Sequence, residues 1–318
     1  MSSDLRVQSR ADFTAGSCAQ AAIRTQSLVK EYRGIPVVDR VSITVPERSV
    51  YGFLGLNGAG KSTTMKMLLG LVKISRGQAT VLGRDIRADR SEILAATGSL
   101  IEGPSFYGHL TGAQNMEIVQ RVRGARSDIY GLLAYLGLEK ARDKKVREYS
   151  LGMKQRLGIA MALVAEPRLL ILDEPTNGLD PAGIHEIREM IRRFPSDHGL
   201  TVLMSSHILS EVQQVADSIG IIHRGRLLFE GPLEALRGAS QLRLRTSNDS
   251  LAHAYLRANG ALLQPDSLTL PWLDDAAVAT IVRDLLRQGI DVYRVEGHEE
   301  TLEDVFLRIT GEAQEGQW

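Results

Sequence analysis

The sequence has little cysteine and no excess of either charge sign, and each shortage excludes a class of protein. Cys18 is the single cysteine among 318 residues, so no disulfide can form within the chain. Lys and Arg total 38, as do Asp and Glu, and the formal net charge is 0. A balanced chain lacks the basic field that draws proteins to phosphate backbones. We therefore expect no nucleic-acid partner.

Long hydrophobic runs are also missing. The longest apolar stretches, 159–165 and 169–172, are separated by Glu166 and Arg168. Both fall well short of the roughly 20 apolar residues that cross a bilayer. The N-terminal residues carry scattered charges and no apolar core, so no secretory signal is predicted. These absences favour a cytoplasmic location.

What the sequence does contain is a regular alternation of strand and helix patterns. Strands are predicted at residues 21–29, 37–45, 50–54, 169–172, 201–204 and 218–222. Helices are predicted at residues 61–71, 151–165, 181–194 and 209–216. Apolar strands that alternate with helices are typical of a parallel sheet covered on both faces. The predicted fold class is therefore α/β, with a helical insertion at about 109–165.

The two ends of the chain differ from this middle part, which we place at 22–231. Residues 1–21 show no periodicity, and we expect a flexible leader there. After Gly231 and Pro232 the patterns run strand, helix, strand, strand, helix, strand. That order is typical of a ferredoxin-like fold. We therefore predict a small α+β accessory domain at 232–318.

A glycine-rich loop follows the strand at 50–54. From Gly55 to Ser62 it has two glycines with four residues between them, then Lys-Ser, which is the pattern of a phosphate-binding loop. The glycines let backbone N–H groups turn towards phosphate oxygens, and the helix that begins at Lys61 points its positive dipole end at the same anion. Lys61 is predicted to neutralise the β- and γ-phosphates, and Ser62 to bind Mg²⁺. The predicted nucleotide site also includes Gly55, Asn57, Gly58, Gly60 and Thr63.

Two adjacent acids end the apolar strand at 169–172. Asp173 and Glu174 lie at its carboxyl end, which in an open α/β sheet is the edge where ligands bind. Alone, they would be explained as a solvated strand end. Beside a phosphate-binding loop, Asp173 is predicted to hold Mg²⁺ through water, and Glu174 to orient and deprotonate the water that attacks the γ-phosphate. The pair predicts nucleotide hydrolysis.

The segment 150–156 distinguishes this chain from other nucleotide hydrolases. It reads Ser-Leu-Gly-Met-Lys-Gln-Arg just before a helix, and it resembles the signature segment of ABC ATPases. A Ser cap, a glycine and a helix N-terminus form a second anion-binding surface in the same chain. The resemblance implies that two subunits pair head to tail, so that Ser150 and Gly152 of one close over the nucleotide on the other's phosphate loop. An ordinary capped helix is the alternative.

Three further positions follow the order of the ABC ATPase motifs. Tyr32 matches the aromatic residue that stacks on adenine, although a half-buried tyrosine at a strand end is the alternative. Asp180 matches the loop that crosses the dimer interface, and as an Asp before Pro181 it would equally cap a helix. His207 matches the histidine that contacts the γ-phosphate and senses hydrolysis, where a lone histidine would more often be structural.

The resemblance also implies the fold and the cofactors. The expected fold is that of a P-loop NTPase of the ABC type. It has a mostly parallel core sheet, an antiparallel β subdomain, a helical subdomain and the small C-terminal domain. ATP and Mg²⁺ are the expected cofactors.

Two positions depart from the usual ABC pattern. Glu102 stands where the family usually has Gln, in the segment that couples the nucleotide to the membrane subunit. Its carboxylate makes it a candidate Mg²⁺ ligand, with an exposed loop residue as the alternative. Leu151 stands where Gly is commoner. Both departures resemble exporter ATPases of the bacitracin and lantibiotic type, and residues 301–307 resemble the end of drug-export ATPases.

The resemblance implies an ATP-hydrolysing subunit that powers export of a drug, antibiotic or peptide through separate polytopic membrane subunits. Such subunits work as homodimers or heterodimers, peripheral on the inner face of the cell membrane. An importer ATPase is the nearest alternative. A soluble ABC ATPase acting on DNA or ribosomes would usually carry two ATPase domains or long coiled coils. A regulatory module that scarcely hydrolyses would lack Glu174 or His207, and both are present.

Overall fold

A computed structural model describes residues 20–236, 241–264 and 267–298. Nearly all of the predicted leader, and the stretch 301–307, lie outside these residues. The strands are β1 (Ala21–Tyr32), β2 (Ile35–Val41), β3 (Thr44–Pro46), β4 (Val50–Leu54), β5 (Arg76–Val81), β6 (Arg84–Asp85), β7 (Thr97–Leu100), β8 (Leu169–Leu172), β9 (Thr201–Ser206), β10 (Ser218–His223), β11 (Arg226–Pro232), β12 (Gln241–Thr246), β13 (Leu262–Gln264), β14 (Ser267–Pro271) and β15 (Val292–His298).

The α-helices are α1 (Lys61–Leu68), α2 (Arg90–Ala95), α3 (Gly112–Arg123), α4 (Ile129–Tyr135), α5 (Leu151–Leu163), α6 (Pro181–His198), α7 (Leu209–Gln213), α8 (Asp249–Leu256) and α9 (Asp275–Arg287). Short 3₁₀ turns lie at Glu139–Ala141, Val146–Glu148, Leu233–Leu236 and Arg257–Asn259.

The central sheet has six strands in the order β11-β10-β4-β9-β8-β7. Pairing is parallel from β10 to β7, and only β11 at the edge is antiparallel. Every residue of β4 and β8 is buried, because helices or the second sheet cover both faces. Val50 and Leu54 belong to one hydrophobic core, whereas Tyr51 and Phe53 belong to the other. This is the mostly parallel core sheet that the fully apolar strands predicted.

Two further regions flank this sheet. A five-stranded antiparallel sheet has the order β2-β1-β5-β6, with β3 paired to β1, and its core is shared with α1. On the other side of the central sheet, α3, α4 and α5 pack into the core that contains β8 and β9. The α/β fold class, with its antiparallel and helical parts, is thereby confirmed.

The C-terminal elements form a four-stranded antiparallel sheet in the order β13-β14-β12-β15. This is the strand order of a ferredoxin-like arrangement, and the two helices fall where the sequence pattern predicted them. Alternate β12 residues, Leu242 and Leu244, point into a core shared with Leu256 of α8 and Leu285 of α9.

Some predicted elements differ from the structure for identifiable reasons. The strand predicted at 37–45 is divided into β2 and β3, because the Thr25 hydroxyl accepts a hydrogen bond from Ile43 N–H at 2.8 Å and donates to Val41 O at 3.1 Å. These bonds replace ladder bonds between the two stretches, both of which pair with β1. β7 was not predicted, because its Thr-Gly-Ser-Leu sequence has no apolar pattern. Position 98 requires glycine, because a Cβ there would clash with the carbonyl oxygen of Ala162 at 2.2 Å.

Candidate nucleotide site

The phosphate-binding loop joins β4 to α1 and has a backbone that requires glycine. Gly58 and Gly60 have φ values of 80° and 107°, which lie in the region that residues with a Cβ rarely adopt. A Cβ on Gly60 would lie 2.8 Å from Val37 O, and one on Gly55 would lie 2.4 Å from Ile222 O. The loop is therefore held in its turn by packing against neighbouring strands.

Lys61 is buried at the first position of α1, with only 5% of its surface exposed. Its ammonium donates to Gly55 O at 2.6 Å and to Leu56 O at 3.2 Å. Ser62 and Thr63 follow in the first helical turn, where backbone N–H groups have no partner within the helix. The structure thus brings together the glycines, the lysine and the hydroxyls at one helix N-terminus. Asn57 lies on the exposed outer side of the loop.

Glu174 lies between Lys61 and His207. Its Oε1 is 3.2 Å from Lys61 Nζ, and its Oε2 is 3.1 Å from His207 Nδ1. Its backbone is strained, with a φ of 48°. The three residues predicted as catalytic are therefore in direct contact, although 113 positions separate Lys61 from Glu174.

The register of the parallel strands explains this meeting. Leu54 at the end of β4 pairs with Ser206 at the end of β9, and Leu172 at the end of β8 pairs with Met204 of β9. The residues that follow these strands emerge at one edge of the sheet, where α/β proteins bind ligands. Gly55 N–H also donates to Ser206 O at 3.2 Å, which links the phosphate loop to the His207 segment.

Ser205 bonds to both acidic residues and was not predicted from the sequence. Its hydroxyl donates to Asp173 Oδ1 at 2.6 Å, and it accepts from Glu174 N–H at 2.9 Å. The available signal was its position at the carboxyl end of an apolar strand that borders the acidic one. Ser205 therefore orients the carboxylate of Asp173 and holds the backbone of Glu174.

The signature segment forms a capped and accessible helix start. Ser150 is the N-cap of α5, and its hydroxyl accepts from Met153 N–H at 3.2 Å. Leu151 is 52% exposed. No hydrogen bond or ion pair among the described residues links Ser150 or Gly152 to the phosphate loop of the same chain.

The Asp180 loop lies beside the signature segment. A Cβ on Gly178 would be 3.2 Å from Leu151 Cδ2, and one on Gly152 would be 3.9 Å from Leu179 Cδ2. Asp180 itself is the N-cap of α6 and accepts from Gly183 N–H at 3.0 Å. The capping role weighed for Asp180 is therefore present, on a loop that borders the second anion-binding surface.

Tyr32 lies at the end of β1 and is 48% exposed. The ammonium of Lys30 is 4.6 Å from the centre of its ring, a cation–π contact. The Tyr32 ring is therefore partly exposed at the surface, with the Lys30 ammonium over one of its faces.

Glu102 is paired with a lysine. Its carboxylate is 69% exposed and forms an ion pair with Lys66 of α1, one helical turn after Ser62. Its φ of 59° and the following Gly103 at 85° make a tight turn in this segment. Among the described residues, no group of at least three His, Cys, Asp or Glu side chains is arranged to hold a metal ion.

Comparison with known proteins assigns this geometry to a family. The family described as "ABC transporter" matches residues 38–177. The chain is 39% identical to the bacitracin transport ATP-binding protein BcrA of Bacillus licheniformis over 91% of this chain and 97% of that protein. The chain belongs to the ABC transporter family. It is the ATP-binding, ATP-hydrolysing subunit of an ABC transporter, as the sequence motifs predicted.

Other relatives agree with this membership. The lantibiotic transport ATP-binding protein SrtF of Streptococcus pyogenes is 44% identical, over 69% of this chain and 95% of that protein. The daunorubicin/doxorubicin resistance ATP-binding protein DrrA of Streptomyces peucetius is 36% identical, over 91% of this chain and 92% of that protein. The predicted likeness of this ABC subunit to the bacitracin and lantibiotic type is therefore confirmed.

A solved structure supports the ABC ATPase fold. The chain matches a structure titled as the ATP binding subunit of an ABC transporter with a TM-score of 0.61 and 30% identity, over 68% of this chain and 91% of that one. Within the residues that the structure describes, no helix of this ABC subunit is long and apolar enough to span a bilayer.

Proposed function

We propose that this chain powers the export of an antibiotic, drug or peptide through separate polytopic membrane subunits. The observation that carries the proposal is the similarity to BcrA, which extends along 97% of that protein and so includes the region beyond the ATPase motifs. The names of the relatives refer to bacitracin transport, lantibiotic transport and daunorubicin/doxorubicin resistance. An importer ATPase or a soluble ABC ATPase has no such support among these relatives.

In this proposal the phosphate loop holds the triphosphate of ATP. Exposed Tyr32 stacks on the adenine, and loop N–H groups surround the phosphates between Gly55 and Thr63. Lys61, which Gly55 O and Leu56 O hold at the loop, neutralises the β- and γ-phosphates. Glu174 and His207 then lie beside the γ-phosphate, because both contact the same cluster as Lys61.

Mg²⁺ fits the oxygen donors of this site. Ser62 supplies a hydroxyl, and Asp173 supplies a carboxylate whose Oδ2 has no hydrogen-bond partner among the described residues, since Ser205 donates to Oδ1. When bound, the ion neutralises charge on the phosphates. Glu102 is less well placed than these two, because Lys66 already balances its charge.

Hydrolysis in this scheme depends on Glu174 as the base. The carboxylate accepts the proton of the attacking water, and His207 Nδ1 at 3.1 Å fixes its orientation. The backbone N–H bond to Ser205 holds the strained turn that presents the carboxylate.

A second copy completes the site. Ser150 and Gly152 are accessible in one chain and contact no part of that chain's phosphate loop within the described hydrogen bonds. A head-to-tail pair would place this helix N-terminus against the γ-phosphate held by the other copy. Asp180, on the neighbouring loop, would then lie at the interface.

The membrane subunits are proposed to dock in a cleft beside Glu102, which we call the coupling cleft. It measures about 400 Å³ and lies between the segment 101–105 and helices α3 and α5, with Leu71, Val119 and Met161 among its lining residues. Pro104 packs on Gly158 of α5, where a Cβ would lie 2.8 Å from Pro104 Cβ, so this end of the segment is in close contact with the helix. A permease segment in this cleft would place the chain on the inner face of the cell membrane.

Two measurements test the export proposal. Deleting the gene should increase killing by at least one peptide antibiotic or drug, and re-expression of the wild-type chain should restore resistance. The Glu174→Gln chain should not restore it. Affinity purification of the chain should also retain a polytopic membrane protein. Unchanged susceptibility across peptide antibiotics and anthracyclines, with no membrane protein retained, would contradict the proposal.

A further inference from the structure

A buried carboxylate outside the predicted motifs joins two catalytic segments. Glu211, in helix α7, is only 3% exposed, and no described residue forms an ion pair with it. Burial of an unpaired carboxylate is costly unless hydrogen bonds compensate for the lost hydration. Its Oε2 accepts from Thr176 Oγ1 at 2.6 Å and is 3.1 Å from Ser206 Oγ.

The two hydroxyls belong to the segments that carry the proposed base and its histidine. Thr176 comes two residues after Glu174, and Ser206 directly precedes His207. Both are almost fully buried, at 4% and 2% exposure. A single carboxylate oxygen therefore ties the chain after β8 to the last residue of β9, next to the contact between Glu174 and His207.

The Ser206 hydroxyl has two possible acceptors but only one proton. Ile208 O lies at 3.2 Å and Glu211 Oε2 at 3.1 Å, whereas Ile208 N–H donates to Ser206 Oγ at 2.9 Å. A carboxylate is the stronger acceptor, so the proton is best placed towards Glu211. Ser206 is then held from both sides.

Helix α7, which carries this carboxylate, packs tightly against the central sheet. Val212, the next residue, packs so closely on β4 that a Cβ on Gly52 would lie 2.1 Å from its Cγ1. Glu211 therefore cannot follow a shift of either loop without disturbing the central sheet.

We propose that Glu211 is a positioning residue for ATP hydrolysis, which fixes the separation of Glu174 and His207 through Thr176 and Ser206. The inference rests on the roles proposed above for Glu174 and His207. Both hydrogen bonds end on the same oxygen of Glu211. We therefore expect the position of this acceptor, and not its negative charge, to determine the alignment of Glu174 and His207. A Gln side chain presents a carbonyl oxygen that can accept both bonds, whereas Ala presents none.

The test compares Glu211→Gln, Glu211→Ala and the exposed control Glu189→Ala in steady-state ATP hydrolysis by the full chain. Glu211→Ala should lower kcat about 10-fold or more, because small misplacements of catalytic groups are costly. Its KM for ATP should stay within about twofold, since the phosphate loop is untouched. Glu211→Gln should retain most of the wild-type kcat, and Glu189→Ala all of it.

A second pair of variants, at Thr176, keeps the inference testable if Glu211→Ala fails to fold. Thr176→Val removes one hydroxyl and should lower kcat with little change in KM, whereas Thr176→Ser should not. A wild-type kcat in Glu211→Ala and Thr176→Val would overturn the inference, as would a Glu211→Gln variant as slow as Glu211→Ala. Glu174→Gln is measured in parallel: if it turns over normally, the proposed base has failed and not the role of Glu211.

Discussion

At the residue scale, the ammonium of Lys61 brings the phosphate loop and the hydrolytic residues together. Two carbonyl oxygens of its own loop and the carboxylate of Glu174 surround it. A γ-phosphate that binds this ammonium is therefore bound within reach of Glu174. In the proposed mechanism, binding and hydrolysis are separable, because the loop would hold the phosphate and the carboxylate would activate water.

Replacement of Glu174 should separate these two functions. Glu174→Gln keeps the side-chain shape but cannot accept a proton, so turnover should fall about 10²-fold or more while ATP affinity is retained. Lys61→Ala should instead abolish nucleotide binding or hydrolysis. Phosphate release and nucleotide-binding titrations measure the two effects. Steady turnover by Glu174→Gln would remove Glu174 as the base.

The glycines of the phosphate loop differ in how much change they tolerate. Gly60→Ala should weaken ATP binding strongly, because a Cβ would meet Val37 O at 2.8 Å and φ is 107°. Gly34 is a matched control, since its φ is 81° but a Cβ there would meet nothing within 4 Å. Gly34→Ala should cost only about 1 kcal/mol of unfolding free energy, with normal ATP affinity. Equal ATP affinity in the two variants would contradict this view of the loop.

At the element scale, the coupling segment is joined to α1 by the ion pair between Glu102 and Lys66. Both partners reach solvent, with 69% and 26% of their side-chain surfaces exposed. A pair so exposed contributes at most about 1 kcal/mol to stability. Its effect is therefore expected on the position of the segment beside the coupling cleft and not on folding.

Glu102→Gln should leave ATP affinity nearly intact but change how hydrolysis is coupled to transport. Lys66→Gln should have a similar effect, and the double variant should be less impaired than the sum of the two, because each single change leaves one charge without its partner. Drug resistance in cells, compared with ATP hydrolysis by the purified transporter, measures the coupling. Unchanged resistance in both single variants would reject a coupling role.

Helices α4 and α6 are joined by a hydrogen bond that depends on pH. Tyr135 OH donates to Asp197 Oδ2 at 2.8 Å, and partial burial together with this bond raises the pKa of Tyr135 from 10.0 to about 12. The raised pKa means that this stabilisation is complete below the unfolded pKa of 10.0 and is lost as the pH approaches about 12.

Urea unfolding of wild-type and Tyr135→Phe chains at about pH 8 and about pH 11 tests this link. The difference in unfolding free energy between the two proteins should narrow at the higher pH, because above pH 10.0 Tyr135 ionises in the unfolded wild type and so favours unfolding, whereas the Tyr135→Phe chain has no group at this position that titrates. A difference that is constant or grows with pH would show that the Tyr135 hydroxyl does not behave in this way.

Elements with continuous apolar sequence could be predicted closely, whereas others could not. β4 and β8 begin and end where the sequence predicts, because every residue in them is buried. β7 could not be predicted, since its place in the sheet depends on the close fit of Gly98 against Ala162. Glu211 was equally hidden, because a glutamate in a short helix is usually exposed and only the fold buries it beside Thr176 and Ser206.

At the scale of the whole molecule, one chain contains two candidate anion-binding surfaces, and no hydrogen bond or ion pair joins them in the part of the chain that the structure describes. The phosphate loop and Glu174 form one, and the Ser150 helix start with the Asp180 loop forms the other. The motifs for both could be recognised in the sequence. Only the structure shows that no described hydrogen bond or ion pair joins the two surfaces within one chain, and this separation supports the proposed head-to-tail pair.

The most direct test of this arrangement is the mass of the Glu174→Gln chain measured by light scattering at high concentration, with and without Mg-ATP. The proposed composite site predicts two copies with Mg-ATP and one copy without it. Adding Gly152→Asp, which places a negative charge against the γ-phosphate of the other copy, should return the chain to one copy. If the Glu174→Gln chain has the mass of one copy in the presence of Mg-ATP, both alone and when bound to its membrane subunits, the shared nucleotide site is contradicted.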